Sequence, residues 1–368
     1  MSKERLLAME AELNTRYLDR SDVCRGLLLA VLSSNHIELL GAPGTAKSAL
    51  TYDFMDYLID DAGSDKKFSW LFTKFTTVDE VMGPVSIQGM KDDRYTRIVT
   101  NKLPEARFAY LDEIYKANSP LLNSLLSILQ EGIFYNNGGA THCPLQMCIG
   151  SSNELPDEDE GLSALRDRYL LRYQVQYLQD ATTFSQLLTL DHPVKVVSKL
   201  SMVDLDADIE AVKALKITDD TVRSITLVWE RLREMGIFPS DRRFKAMIKV
   251  MAAESWLMGA TEIVPDSIIV GEHILWDKPE QFRTVKQIIR ASVNPSLSEA
   301  QEFLTAAQEG LATVKDGSNS EEITQVAKSI RVMLQECEHL SQSTEVTKIT
   351  ASIKIIENQV VNMMLGSS

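Results

Sequence analysis

No stretch of this chain is apolar enough to span a bilayer. The longest apolar run, over residues 26–32, falls far short of the ~20 residues that a membrane helix needs. The opening residues, Met1-Ser2-Lys3-Glu4, are charged and carry no apolar signal core, so no secretory leader is expected. Basic charge is in deficit: 38 Lys and Arg stand against 52 Asp and Glu, a formal net charge of −14. A protein that tracks a phosphate backbone needs a basic surface, so nucleic acid is not the expected partner, although one local basic groove remains compatible with this balance. Cysteine is scarce. Cys24, Cys143, Cys148 and Cys337 form no CxxC pair, and His142-Cys143 with Cys148 lacks metal-ligand spacing. Neither a disulfide framework nor a zinc cluster is expected, and a reducing, cytoplasmic address follows. Internal repeats and low-complexity tracts are also lacking.

The composition that remains, 44% hydrophobic and 24% charged, is that of a globular protein, and 368 residues suggest two or three domains. Residues 1–34 read as helices. Ile37-Glu38-Leu39-Leu40, closed by Gly41, reads as a buried parallel strand. Residues 48–59 have helical spacing in Leu50, Phe54 and Leu58. Further strands are expected over 68–75, 107–111 and 145–149. Residues 171–177 alternate, with Leu171, Tyr173, Val175 and Tyr177 on a covered face and Arg172, Gln174 and Gln176 outward, the pattern of a half-buried strand near the sheet edge. Between these lies a helix with Ser119 as its N-cap, Pro120 in its first turn and Gly132 beyond its end. Strands alternating with helices imply an α/β fold with a central parallel sheet. From about residue 181 the strand signals fade, and Pro193, Pro239, Pro265 and Pro279 break a helical region. Residues 294–368 read as three helices separated near 317–319 and 341–344. The expected organisation is an α/β core over 1–185, an all-α domain over 186–293 and a helical segment over 294–368.

Five motifs carry chemistry. Gly41-Ala42-Pro43-Gly44-Thr45-Ala46-Lys47-Ser48 stands between a strand and a helix, the setting of a phosphate-binding loop. Small residues let backbone N–H groups close on phosphate oxygens, Lys47 reaches the β- and γ-phosphates, and Ser48 offers its hydroxyl to Mg²⁺. Ala46 departs from the usual glycine before the lysine. Phe108-Ala109-Tyr110-Leu111-Asp112-Glu113 is an apolar strand ending in two carboxylates, with Asp112 suited to hold hydrated Mg²⁺ and Glu113 to orient an attacking water. Asn153, after the 145–149 strand, suits a water-placing amide. In Leu165-Arg166-Asp167-Arg168-Tyr169, Arg168 first and Arg166 second are candidates to reach a neighbouring subunit's nucleotide, an effect worth about 10³–10⁵ in rate in related systems. In Ser240-Asp241-Arg242-Arg243, Arg242 is the candidate phosphate sensor and Arg243 the alternative.

Together these motifs resemble the AAA+ ATPases, and within them the MoxR family in its RavA-like branch. The resemblance spans roughly residues 10–290. It is carried by the Gly41–Ser48 loop with its Ala46, by Asp79-Glu80-Val81-Met82-Gly83-Pro84-Val85-Ser86-Ile87, and by Leu103-Pro104-Glu105-Ala106. Leu111-Asp112-Glu113-Ile114, Ser152-Asn153-Glu154-Leu155-Pro156 and Ser240-Asp241-Arg242-Arg243 complete it. It implies an AAA+ core followed by an all-α lid, with ATP and Mg²⁺ as ligands. It also implies a homo-hexameric ring with nucleotide at subunit boundaries, an insertion around residues 83–100 and a hairpin around 134–143. Members of this family commonly act on partners with von Willebrand factor A domains. The expected activity is ATP hydrolysis coupled to remodelling of a partner protein. The rivals are a nucleic-acid-directed motor or GTPase on the same fold, and a ring scaffold gated by nucleotide without productive turnover.

Overall fold

The computed structural model describes residues 2–59, 66–155, 160–190, 199–293, 295–314, 320–340 and 344–366. Pro156, Pro193 and the expected breaks at 317–319 and 341–343 lie outside the described residues. The chain divides into two compact units, Met1–Thr218 with Pro239–Leu275, and Asp219–Phe238 with Trp276–Ser368.

In the first unit, helices α1 (Ser2–Arg16) and α2 (Ser21–Ser33) precede strand β1 (Ile37–Leu40). Helix α3 (Lys47–Tyr57) follows, then the two-residue β2 (Leu58–Ile59) and β3 (Lys67–Leu71). Short helices α4 (Val78–Met82) and α5 (Ile87–Lys91) lead to β4 (Phe108–Asp112) and α6 (Ser119–Glu131). A hairpin of β5 (Ile133–Asn136) and β6 (Gly139–His142) comes before β7 (Met147–Ser152). Then come α7 (Glu160–Arg166), β8 (Leu171–Gln174), α8 (Ala181–Thr189), β9 (Leu200–Ser201) and α9 (Met202–Ala214). The second unit contributes α10 (Asp219–Glu234), and the chain returns to the first for α11 (Asp241–Met258).

The central sheet is parallel throughout, in the order β3-β4-β7-β1-β8. Its register aligns Leu40 with Ser152 and Asp112 with Ser151. The carboxyl ends of β1, β4 and β7 are therefore level, and whatever follows them meets at one edge of the sheet, where open α/β sheets place their ligands. Leu121, Leu125 and Ile128 of α6 pack with Ala109, Leu111 and Cys148 of the sheet in one apolar cluster. Each fully buried leucine contributes about 1.5–3 kcal/mol, so this packing holds β4 and β7 in place beneath the site.

Several expectations are corrected. The strand expected over 68–75 ends at Leu71, because Phe72 to Thr76 form a turn in which the Thr73 N–H bonds Thr76 Oγ1. The cap of α6 is Asn118, whose side chain accepts from the Leu121 N–H; Ser119 is already the first helical residue. Both residue types cap well, and the backbone geometry chose between them. Arg172 does not face outward. It is 2% exposed and lies in register beside Glu38, itself fully buried, with Nε 3.9 Å from Glu38 Oε2. Arg166 Nε lies 3.6 Å from the same oxygen, and the Tyr115 hydroxyl donates to Oε1. An arginine can occupy a covered face when a carboxylate one strand away is covered with it. Beyond residue 181 the chain is not wholly helical: β9 pairs parallel with β2, and Ile217 bridges Ile263.

In the second unit α10 packs on α12 (Phe282–Val293). Helices α13 (Pro295–Thr313), α14 (Ser320–His339) and α15 (Thr344–Gly366) share a core of Ala300, Ala307, Ile323, Ile330, Ile353 and Val360. Among the described residues, no helix is long and apolar enough to cross a membrane. The four cysteines are buried and none is in a disulfide, and burial pushes Cys148 up to about 12.

Candidate active site

The loop Gly41–Ser48 leaves β1 and turns into α3 with its backbone held from several directions. The Gly41 N–H donates to Ser152 O at 3.1 Å. A Cβ on Gly41 would stand 2.0 Å from Val175 O, so no other residue fits there. Gly44 has φ +79° and Ala46 φ +67°. The left-handed conformation costs an alanine about 1–2 kcal/mol, and glycine occupies it freely. Ala46→Gly is therefore expected to stabilise the chain by about 0.5–1 kcal/mol after the greater unfolded-state freedom of glycine is counted. Urea denaturation measures this, and a loss of stability would show that the Ala46 methyl group packs favourably.

Lys47 is largely buried. Its ammonium donates to Gly41 O at 2.5 Å, Ala42 O at 2.9 Å and Asn153 Oδ1 at 3.0 Å. Burial lowers its pKa, while the charges of Asp112 and Glu113 oppose the shift. Ser48 Oγ lies 3.4 Å from Asp112 Oδ2. The other oxygen, Asp112 Oδ1, accepts from Ser151 Oγ at 2.5 Å and from the Glu113 N–H at 3.0 Å. The Tyr110 hydroxyl donates to Ser48 Oγ at 2.9 Å and stands 2.9 Å from Ser151 Oγ. Burial pushes this phenol up to about 12. Tyr110 and Ser151 thus orient the Ser48–Asp112 pair, a role the motifs alone do not reveal. The available signals are that Tyr110 shares a strand face with Asp112 and that Ser151 is its cross-strand partner.

Glu113 has φ +55° and is 9% exposed. The Asn153 amide nitrogen donates to Glu113 Oε1, and Lys116 Nζ lies 3.4 Å from Oε2. One amide therefore touches both the loop lysine and the second carboxylate. Thr45, Lys47, Ser48, Asp112, Glu113 and Asn153 line a single cavity of about 290 Å³. A hydroxyl and a carboxylate at hydrogen-bond distance, opening on a phosphate-sized space, are the donor set that Mg²⁺ accepts when phosphates and waters supply the rest. The residues present fit that ion.

The arginine candidates gather elsewhere and do not line this cavity. Arg168 Nη1 donates to Asp167 Oδ2 at 3.2 Å, and Arg242 Nη1 lies 3.9 Å from the same oxygen. Burial lowers the Arg168 pKa, Arg242 adds to the shift, and Asp167 opposes it. Arg242 is half-exposed. Arg243 is buried, donating to Ile274 O at 2.5 Å and Tyr169 O at 3.2 Å, with Nε 3.4 Å from Asp167 Oδ1. Arg166 is drawn into the buried Glu38 network.

Comparison with known proteins places the chain among relatives. Residues 4–214 match a family model described as the MoxR domain in the MoxR-vWA-beta-propeller ternary systems. Residues 220–289 match an AAA lid domain. Two uncharacterized proteins of Methanocaldococcus jannaschii are similar. One is 34% identical over 77% of this chain and 73% of its own length. The other is 36% identical over 74% of this chain and 72% of its own. A crystal structure of a candidate ATPase from Cytophaga hutchinsonii matches with a TM-score of 0.60 at 17% identity, covering 79% of this chain and 94% of that one. That last likeness is one of fold.

Proposed function

The chain belongs to the MoxR family of AAA+ ATPases, and from that premise we propose that it hydrolyses ATP and uses the cycle to change the conformation of a partner protein. The observation that carries the reading is the Asn153 amide, which bonds Lys47 on one side and Glu113 on the other within one cavity. A triphosphate in the loop would receive the backbone N–H groups and the Lys47 ammonium on its β- and γ-oxygens. Mg²⁺, held by Ser48 and Asp112, would neutralise developing phosphate charge. Glu113 accepts a hydrogen bond from the attacking water and aligns it with the γ-phosphorus, and Asn153 fixes the carboxylate in that orientation. Steady-state release of inorganic phosphate from Mg·ATP tests the activity; its absence at micromolar protein would overturn it.

The finer parts of the reading rest on the family. Nucleotide at subunit boundaries of a hexameric ring and a RavA-like assignment are supported by the motif set, and a cytoplasmic address by the scarcity of cysteine. The matched family description names MoxR-vWA systems, which supports a von Willebrand factor A domain protein as the partner class. A motor on nucleic acid is disfavoured by the net charge of −14.

Arg168 would act on a neighbour's nucleotide, and Arg242, beside it at Asp167, would sense the γ-phosphate. Arg168→Ala is expected to keep ATP affinity while turnover drops by about 10³. Mixing it with Glu113→Gln protein should return part of the activity, because some boundaries then pair an intact Glu113 with an intact Arg168. No recovery across mixing ratios would place the arginine outside the neighbour's site.

A further inference from the structure

Two side chains that do not line the cavity bond carbonyls of the phosphate loop. Arg20, buried just before α2, donates from Nε to Thr45 O at 3.4 Å, from Nη2 to Gln176 O at 2.5 Å and from Nη1 to Asp19 O at 2.6 Å. Its ion-pair partner, the exposed Asp19, is 3.8 Å away, so backbone carbonyls carry most of the compensation for this buried cation. The Tyr177 hydroxyl donates to Pro43 O at 2.9 Å. Both ties lead to the segment that follows β8. There the Val175 N–H bonds Leu40 O at 2.6 Å, and Gly41 presses against the Val175 carbonyl.

In a trans peptide the carbonyl and the next residue's N–H point in opposite directions. A bond on Pro43 O therefore turns the Gly44 N–H away from Tyr177, and a bond on Thr45 O turns the Ala46 N–H away from Arg20. These N–H groups belong to the stretch that lines the cavity. Ala46 gives the second tie its purpose. Its φ of +67° is one that alanine resists, and rotation of the 45–46 peptide would let it relax.

We propose that Arg20 and Tyr177 are positioning residues for phosphate recognition, which lock the 43–44 and 45–46 peptides with their N–H groups toward the triphosphate and so offset the glycine that this loop lacks at position 46. The inference rests on the reading of the loop as the nucleotide site. It ties loop geometry to residues 175–177, which no sequence motif connects to the phosphates.

The test is titration of full-length variants with a fluorescent N-methylanthraniloyl ADP in the presence of Mg²⁺. Arg20→Met should weaken binding by about tenfold, equivalent to about 1.4 kcal/mol. Tyr177→Phe removes one exposed hydroxyl and should weaken binding by about threefold with no change in thermal midpoint. Adding Ala46→Gly to Arg20→Met should recover most of the loss, because residue 46 then reaches its binding geometry without strain. Native affinity in Tyr177→Phe would overturn the proposal, as would an Arg20→Met defect that Ala46→Gly leaves untouched, since Arg20 would then act through bulk charge or stability. Failure of the unsubstituted protein to bind the probe would overturn the nucleotide-site reading, and this proposal with it.

Discussion

Glu113→Gln is expected to bind ATP as tightly as the native chain and to hydrolyse it about 10²–10⁴ times more slowly, the range that a positioned base contributes. The substitution replaces one carboxylate oxygen by an amide nitrogen and leaves the volume unchanged. Asn153 can still donate to the remaining oxygen, so the contact that orients residue 113 survives. The φ of +55° at Glu113 is a backbone property that glutamine shares. What disappears is the capacity to accept a proton from water at the γ-phosphorus. Lys47, Ser48 and Asp112, which would hold the phosphates and Mg²⁺, are unaltered. A single-turnover measurement separates the two effects: labelled ATP stays bound and uncleaved on the variant while the native chain converts it. Turnover within threefold of native would remove Glu113 from the chemistry. If ring assembly and partner response also persisted, the nucleotide-gated scaffold would become the better account.

The parts of this site that were legible in the sequence are those in which neighbours along the chain do the work. The Gly41–Ser48 loop and the Asp112-Glu113 pair are local devices, and β1 and β4 end where these motifs begin. β8 does lie at the sheet edge, although the alternation read for 171–177 fails there, with Arg172 buried and Tyr177 exposed. Contacts made across strands leave no such local pattern. Ser151 orients Asp112 because β4 and β7 are in register, and the pattern 145–149 stopped short of it. The polarity of Arg172 points to the outer face, yet its register partner is a buried glutamate three residues ahead of Gly41. The pairing of β2 with β9 joins residues more than 140 positions apart, each strand too short to show a period. Arg20 belongs to the same class: nothing about a lone arginine before a helix indicates that its bonds fall on Thr45 and Gln176.

Lys47→Ala should abolish measurable nucleotide binding while leaving the fold intact, and the two halves of that statement have separate causes. Charge-assisted hydrogen bonds are worth about 1.5–3 kcal/mol each, so an ammonium shared between β- and γ-oxygens represents at least about a hundredfold in affinity. The fold is a different matter. Burial holds the Lys47 pKa down, which shows that desolvation outweighs the attraction of Asp112 and Glu113 in the protein without ligand. Its bonds there run mainly to carbonyls of its own loop and to Asn153. Alanine ends the desolvation of the ammonium but leaves Gly41 O, Ala42 O and Asn153 Oδ1 without this donor, so the two effects oppose each other and the thermal midpoint should move little. Arginine at this position should not restore binding, because a planar guanidinium does not reproduce the compact ammonium's bonds to Gly41 O, Ala42 O and Asn153. The measurement is a thermal shift with and without Mg·ATP at a hundred times the native Kd. The native chain should gain about 2.7 kcal/mol and the variant nothing. A variant stabilised by ATP to the native extent would refute the loop assignment on which the chemistry of Glu113, Asp112 and Ser48 depends.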